Sequence, residues 1–223
     1  MFSEGMPAVT EPAARAAGAQ PLGEWLSALG SADPAPGGGA AAAIMASIAA
    51  GLVEMVCSVS AGKPDLADHE QHLAQVREAA REFRLGSLTL ADHDAEAFTA
   101  LLAAYRLPRE DPAQQAARRE AVQAATLRAA TVPLEIAGNG AGVAQLAAQL
   151  PGRSARAVLS DVGVAATCAA AAIEAAAVNV EINLRALTDS ALRVTLSDRL
   201  ARHLTDGHRA RQLATEVRRE ISG

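Results

Sequence analysis

Residues 34–56 read PAPGGGAAAAIMASIAAGLVEMV, three glycines followed by a long run of small and apolar residues with one charge, Glu54. Alanine and leucine head the helix-propensity scale, so the run predicts a helix from about Ala40 to Ser60 that starts where the Pro34/Pro36/Gly37–Gly39 punctuation ends. About 20 apolar residues can span a bilayer. Here Glu54 lies inside the run, and no Trp/Tyr belt or Lys/Arg cluster marks its ends, so a buried helix of a globular chain is expected and no membrane partner. The larger apolar residues Ile44, Ile48, Leu52, Met55 and Val59 recur at helical spacing. The opposing stripe of Ala43, Ser47, Ala50, Glu54 and Ser58 is small enough for another backbone to come close, which predicts a helix buried on most sides.

The same logic extends over the chain. Half of the residues are hydrophobic but only 2% are aromatic, so Ala, Leu and Val must build the core, and strand-forming residues are scarce. The expected class is all-α, an up-and-down bundle of long, Ala-rich helices. Length 223 is enough for one substantial core. A net charge of -5 argues against a nucleic-acid partner, whose footprint would be basic. Cys57 and Cys168 occur in a chain whose N-terminus has no apolar signal region, so both thiols are expected reduced, as small core residues of a cytoplasmic protein.

Residues 1–20 lack helical periodicity and are expected to form a disordered tail, leaving 21–223 as a single helical domain. A short helix is expected at Leu22–Leu29, anchored by Trp25 and Leu29. After AGKPD a long pattern runs from Leu66 to Tyr105, with Gly86 able to bend or divide it. A further helix is expected from Ala113 to Leu150, kinked near Val132-Pro133 because a proline removes a backbone donor there. Ser160-Asp161 can cap a helix ending near Leu187, and Thr188/Asp189 one that reaches Ile221.

Asp94 is the most informative titratable residue. It falls on the stripe of Ala91, Phe98, Leu101, Leu102 and Tyr105, expected to face inward, whereas Asp92, Glu96, Thr99 and Ala103 fall on a wetter face. A carboxylate facing a core must find partners or take up a proton. It can act as a general acid or base near neutral pH, or simply bind a neighbouring helix end or an arginine. Lys63 sits in a turn after the first long helix, either as a solvated loop lysine or as a cation beside an acidic substrate. Asp161, Asn179 and Asn183 share a helix face, but Asp161 lies about 27 Å from Asn179 at 1.5 Å per residue. Asp161 is therefore a helix cap, or it meets another part of an extended ligand or a neighbouring subunit. The two asparagines need hydrogen-bond partners if buried, from a ligand or from another helix. Gly37–Gly39 offer free N–H groups at a helix start, which suits an anion, but PGGGA matches no nucleotide loop. His69 and His72 lack a third ligand at recognisable spacing and are expected to be exposed, so no metal site is expected.

In order along the chain stand PAPGGGAAAA with GLVEMV, AGK at 61–63, DAEAF at 94–98, RLP at 106–108, VPL at 132–134, SDVGVAA at 160–166 and NVEINL at 179–184. This series resembles the cyclodeaminase/cyclohydrolase family of folate one-carbon enzymes over roughly residues 22–205. It departs from the family pattern at Ala40, where a serine is usual, at Ala61, where Tyr or Ile is usual, and in GRSARAVLSD, which lacks upstream asparagines. The resemblance implies an all-α homodimer that handles the carbon bridging N5 and N10 of tetrahydrofolate, with a folate derivative as substrate and no separate cofactor. It implies Asp94 as proton shuttle, Lys63 as an orienting charge, Gly37, Gly38 and Gly39 as close backbone contacts, and Asp161, Asn179 and Asn183 as substrate-binding residues. The first expectation is a formimidoyltetrahydrofolate cyclodeaminase. A methenyltetrahydrofolate cyclohydrolase is the second, and a non-catalytic binding module on the same scaffold the third.

Overall fold

The structure, a computed structural model, describes residues 16–223. Among them are six α-helices and no strands: α1 (Leu22–Leu29), α2 (Gly38–Ser60), α3 (Glu70–Tyr105), α4 (Pro112–Ala147), α5 (Leu159–Ala186) and α6 (Ser190–Ser222). Single 3-10 turns precede α1, α3 and α5. Short connections make successive long helices antiparallel neighbours. The two most apolar, α2 and α5, run antiparallel through the middle. α2 packs against α3, α4 and α5, and α5 against α2, α4 and α6. By length and composition both could cross a membrane, but 56% of each apolar window is buried within the bundle.

The packing sorts the two stripes of α2. On α2 the small stripe faces the core: Ala43 and Ala50 are fully buried, as are Ala42, Ala46 and Ala49. The large stripe is split: Ile44, Leu52 and Met55 are half-buried against the core, whereas Ile48 is 51% and Val59 42% exposed. Alanine side chains let helix axes approach to the short end of the usual 8–10 Å range, and bulky residues are excluded from such a contact. On α5 Ala165, Ala169, Ala172 and Ala176 are likewise fully buried, while Val164, Val178 and Ile182 stay outside. Hydrophobicity alone would turn Ile48 inward; close packing of the helices leaves it outside.

Neither Gly86 nor Pro133 divides its helix. α3 passes Gly86 unbroken, and α4 passes Pro133 as one helix of 36 residues. α2 starts at Gly38 rather than Ala40, so two of the three glycines are helical. Asp189 caps α6 by accepting the Leu192 N–H at 3.0 Å. Asp161 is not a cap: Val158 occupies that position, and Asp161 lies in the first turn, where the helix dipole favours an acid. Of the expected disordered tail, residues 1–15 lie outside the described residues. Its end is tied down, since Ala17–Ala19 form a turn and the Ala17 N–H donates to Asp92 at 2.8 Å. Trp25 is buried against the body. Cys57 is buried, and burial pushes its thiol up to about 11. Cys168 is only half-buried, on the outer side of α5. His69 and His72 are half-buried rather than exposed, because the 3-10 turn at Pro64–His69 folds this segment back on the bundle.

Candidate active site

The start of α2, the middle of α3 and α4, and the end of α5 converge on one cleft of about 140 Å³. Its walls include Pro34, Gly37, Gly38, Gly39, Asp94, Phe98, Ala129, Pro133, Asn179 and Asn183. Six residues singled out from the sequence, spread over nearly 150 positions, thus border the same space.

The Asp94 carboxylate packs directly on the α-carbon of Gly39. A β-carbon built on Gly39 would lie 2.1 Å from Asp94 Oδ1 and 2.6 Å from Oδ2, closer than any real contact, so a glycine is required here. The carboxylate also accepts the Ala40 N–H. The first turn of a helix has N–H groups without internal partners, and Gly37 offers no side-chain cap, so Asp94 supplies what α2 lacks at its start. Burial raises the Asp94 pKa above the ordinary carboxylate value, and the Ala40 hydrogen bond offsets part of that rise. On α3 the residues that face the core around it are Ala91, Ala97, Leu101 and Ala104. Phe98 and Tyr105, expected inward with Asp94, are 41% and 45% exposed. Asp94 therefore opens onto a cleft beside Phe98 rather than into the packed interior.

Across the cleft, Pro133 explains an asparagine. Proline has no N–H, so the carbonyl four residues earlier, that of Ala129, loses its helical partner. Asn183 Nδ2 donates to that carbonyl at 2.8 Å and to the Asn179 carbonyl at 2.8 Å. Asn179 Nδ2 donates to the Ala175 carbonyl at 3.0 Å. With both amide nitrogens held by backbone, the side-chain oxygens are the groups left to serve the cleft. Asn183→Leu should leave the Ala129 carbonyl without a donor and lower stability by about 1–3 kcal/mol. A chemical-denaturation midpoint unchanged from the parent would refute that account.

Lys63 and Asp161 stand elsewhere. α2 is about 33 Å long at 1.5 Å per residue. Lys63 follows its far end, beyond Gly62, whose φ of 70 makes the turn. The Ala155 N–H donates to Ser60 Oγ at 2.9 Å, which ties the start of α5, with Asp161, to that same distant end. Within one chain neither residue reaches the cleft.

Periodicity did not single out Phe98 as a cleft wall, nor Pro133 and Ala129 as a linked pair. The proline inside a helical run was a visible sign of a freed carbonyl, but no local rule connects it to an asparagine 50 positions later. No cluster of His, Cys, Asp or Glu suited to hold a metal occurs among the described residues.

A profile of the formiminotransferase-cyclodeaminase family matches residues 21–202, nearly the whole described bundle and all four walls of the cleft. The chain belongs to the formiminotransferase-cyclodeaminase family. Among its relatives is a methenyltetrahydrofolate cyclohydrolase of Methylorubrum extorquens, 37% identical over 175 residues that cover 78% of this chain and 84% of that one. The formimidoyltransferase-cyclodeaminase of Sus scrofa is 32% identical over 82% of this chain but only 34% of its own length, so this chain corresponds to about a third of that larger family member. A crystal structure of formiminotetrahydrofolate cyclodeaminase from Thermotoga maritima superposes with a TM-score of 0.83 at 26% identity, covering 92% of this chain and 99% of that one. The family members compared are named as folate-processing enzymes.

Proposed function

We propose that this chain is an enzyme of folate one-carbon chemistry and that its principal reaction is the hydrolysis of 5,10-methenyltetrahydrofolate to 10-formyltetrahydrofolate. The observation that carries the reading is the Asp94 carboxylate, raised in pKa by burial, lodged against Gly39 and the start of α2, and facing two asparagines across a small cleft. The hydrolase is preferred to the cyclodeaminase expected first from sequence because the cyclohydrolase relative matches at higher identity and over most of both chains. The cyclodeaminase remains the second reading, supported by the Thermotoga structure, which is likewise matched along almost its whole length.

In the hydrolytic direction, water attacks the electron-poor methenyl carbon. Ionised Asp94 takes a proton from that water as the carbon–oxygen bond forms. The positive charge on the N5–C–N10 unit is neutralised, giving a hydroxylated carbon that bridges both nitrogens. Asp94 then returns its proton to N5 as the carbon–N5 bond breaks. The hydroxyl proton leaves to solvent, so that one water is consumed and one proton released. The Asn179 and Asn183 side-chain oxygens accept from the attacking water or from ring N–H groups. Phe98 and Pro133 supply the apolar walls beside the reacting carbon. In the second reading the same carboxylate assists as N10 attacks a formimino carbon and ammonia departs.

Purified protein offered 5,10-methenyltetrahydrofolate and, separately, 5-formiminotetrahydrofolate decides the matter. Loss of methenyl absorbance faster than the uncatalysed rate supports the hydrolase. Methenyl formation with ammonia release supports the cyclodeaminase, and absence of both ends the enzymatic reading.

A homodimer joined through the outward stripes of α2 and α5 is part of this proposal. In an antiparallel pair, Lys63 and Asp161 of one copy would lie near the cleft of the other, which the single chain does not allow. Ile48→Glu with Val178→Glu should halve the mass seen by sedimentation velocity. A parent chain that sediments as a monomer would refute the pairing.

A further inference from the structure

The cleft around Asp94 is too small for a whole folate, a ligand of the size that ordinarily fills about 300–1,000 Å³. A second, larger groove of about 750 Å³ begins where the cleft stops, and the two share Ala35 and Ala95. It runs between α1 and the opposite side of α3, past Trp25 and Ala28 on one wall and Thr99 and Ala103 on the other. Its surface is mostly apolar, and among the described residues the only charged side chains on it are the carboxylates of Asp92 and Glu96. Both are already engaged, Asp92 by the Ala17 N–H and Glu96 by Arg128 at 2.9 Å.

Building on the folate reading above, we infer that this groove holds the p-aminobenzoylglutamate arm of the substrate, with the bridging carbon at Asp94 and the aryl ring crossing the Ala35/Ala95 threshold. Two features point to that occupant. The groove is continuous with the cleft, so a ligand whose reactive end meets Asp94 extends into it. The alanines at 95, 100 and 103 give α3 a flat surface on which an aromatic ring can lie. The bordering carboxylates of Asp92 and Glu96 offer no attraction to the arm's own glutamate and oppose a string of further glutamates. The groove therefore favours short-tailed folates.

Trp25 is the only tryptophan in the chain and lies in the groove wall, so its emission reports occupancy without turnover. N-(4-aminobenzoyl)-L-glutamate should change Trp25 fluorescence saturably and compete with the folate substrate. Ala103→Phe and Ala100→Phe, both at exposed positions on α3, should weaken fragment binding and raise KM about tenfold with kcat kept within twofold. Two added glutamates on the substrate should lower KM less than twofold. A chain that binds the fragment but turns over neither folate keeps the arm site and sinks the reaction. A chain that turns over a folate while ignoring the fragment, with both phenylalanine variants at parental KM, overturns the groove assignment. A tenfold gain from added glutamates overturns the preference for short tails.

Discussion

Asp94→Asn is expected to lower kcat by about 10²–10⁴-fold, the range for removal of a positioned proton-transfer group, while leaving the bundle folded. The amide oxygen of asparagine can still accept the Ala40 N–H, so the start of α2 keeps its partner. The direction of the stability change follows from the pKa. Burial raises the Asp94 value above that of an unfolded carboxylate. The folded chain thus binds its proton more readily than the unfolded one. The stabilisation from that protonation is complete below the unfolded value and is lost as pH rises through the folded one. At pH 7 an ionised Asp94 works against folding, and the asparagine variant should melt at the same temperature as the parent or higher. The parent's rate should fall as pH drops through the raised Asp94 pKa, because only the ionised form accepts a proton from water, and the residual activity of the variant should lack that limb. Unchanged turnover in Asp94→Asn, or an acid limb that survives the substitution, would remove Asp94 from the mechanism.

Gly39→Ala is expected to be nearly as damaging to catalysis, for a steric reason. The added methyl would occupy the space of the Asp94 carboxyl group, with both oxygens within 2.6 Å of it. Either α2 shifts at its start or the Asp94 side chain swings out of the cleft and loses the Ala40 hydrogen bond. A displacement of about 1 Å at a catalytic group can cost on the order of 100-fold in rate. Overpacking of this kind lowers stability by about 1–3 kcal/mol. The effect should not add to that of Asp94→Asn, since both changes disable one carboxylate. Single-turnover rates of the two variants and their combination test this. A Gly39→Ala enzyme with parental kcat would show that the close packing of glycine and carboxylate has no catalytic role.

The fold class was legible in the chain itself. Alanine and leucine in long runs, with scarce aromatic and β-branched residues, leave helices as the means of burying half-apolar sequence, and the Pro/Gly breaks at 34–39, 61–64 and 107–112 divide them. Much of the cleft was legible too, because polar or glycine residues set in apolar helices, such as Gly39, Asp94, Asn179 and Asn183, are costly unless they serve a partner. Which side of a helix faced inward was not legible. On α2 periodicity separated Ile44/Ile48 from Ala43/Ala50, but only packing against α3, α4 and α5 determined that the alanines line the interior and that Ile48 lies at the surface while Ile44 stays half-buried.

The same limit applies to distance. Sequence order ranked Lys63 and Asp161 with the other candidates, and helix rise alone separated Asp161 from the asparagines. The antiparallel pairing of α2 and α5 then sent Lys63 and Asp161 together to the far end of the bundle. Pro133 shows the matter from the other side. Its missing N–H was certain from the amino acid, yet α4 stays unbroken, with its orphaned Ala129 carbonyl met by Asn183 from α5. Residue chemistry by itself determined which groups need partners. Only the tertiary structure decided which groups meet, because helix–helix contacts join positions that no local rule connects.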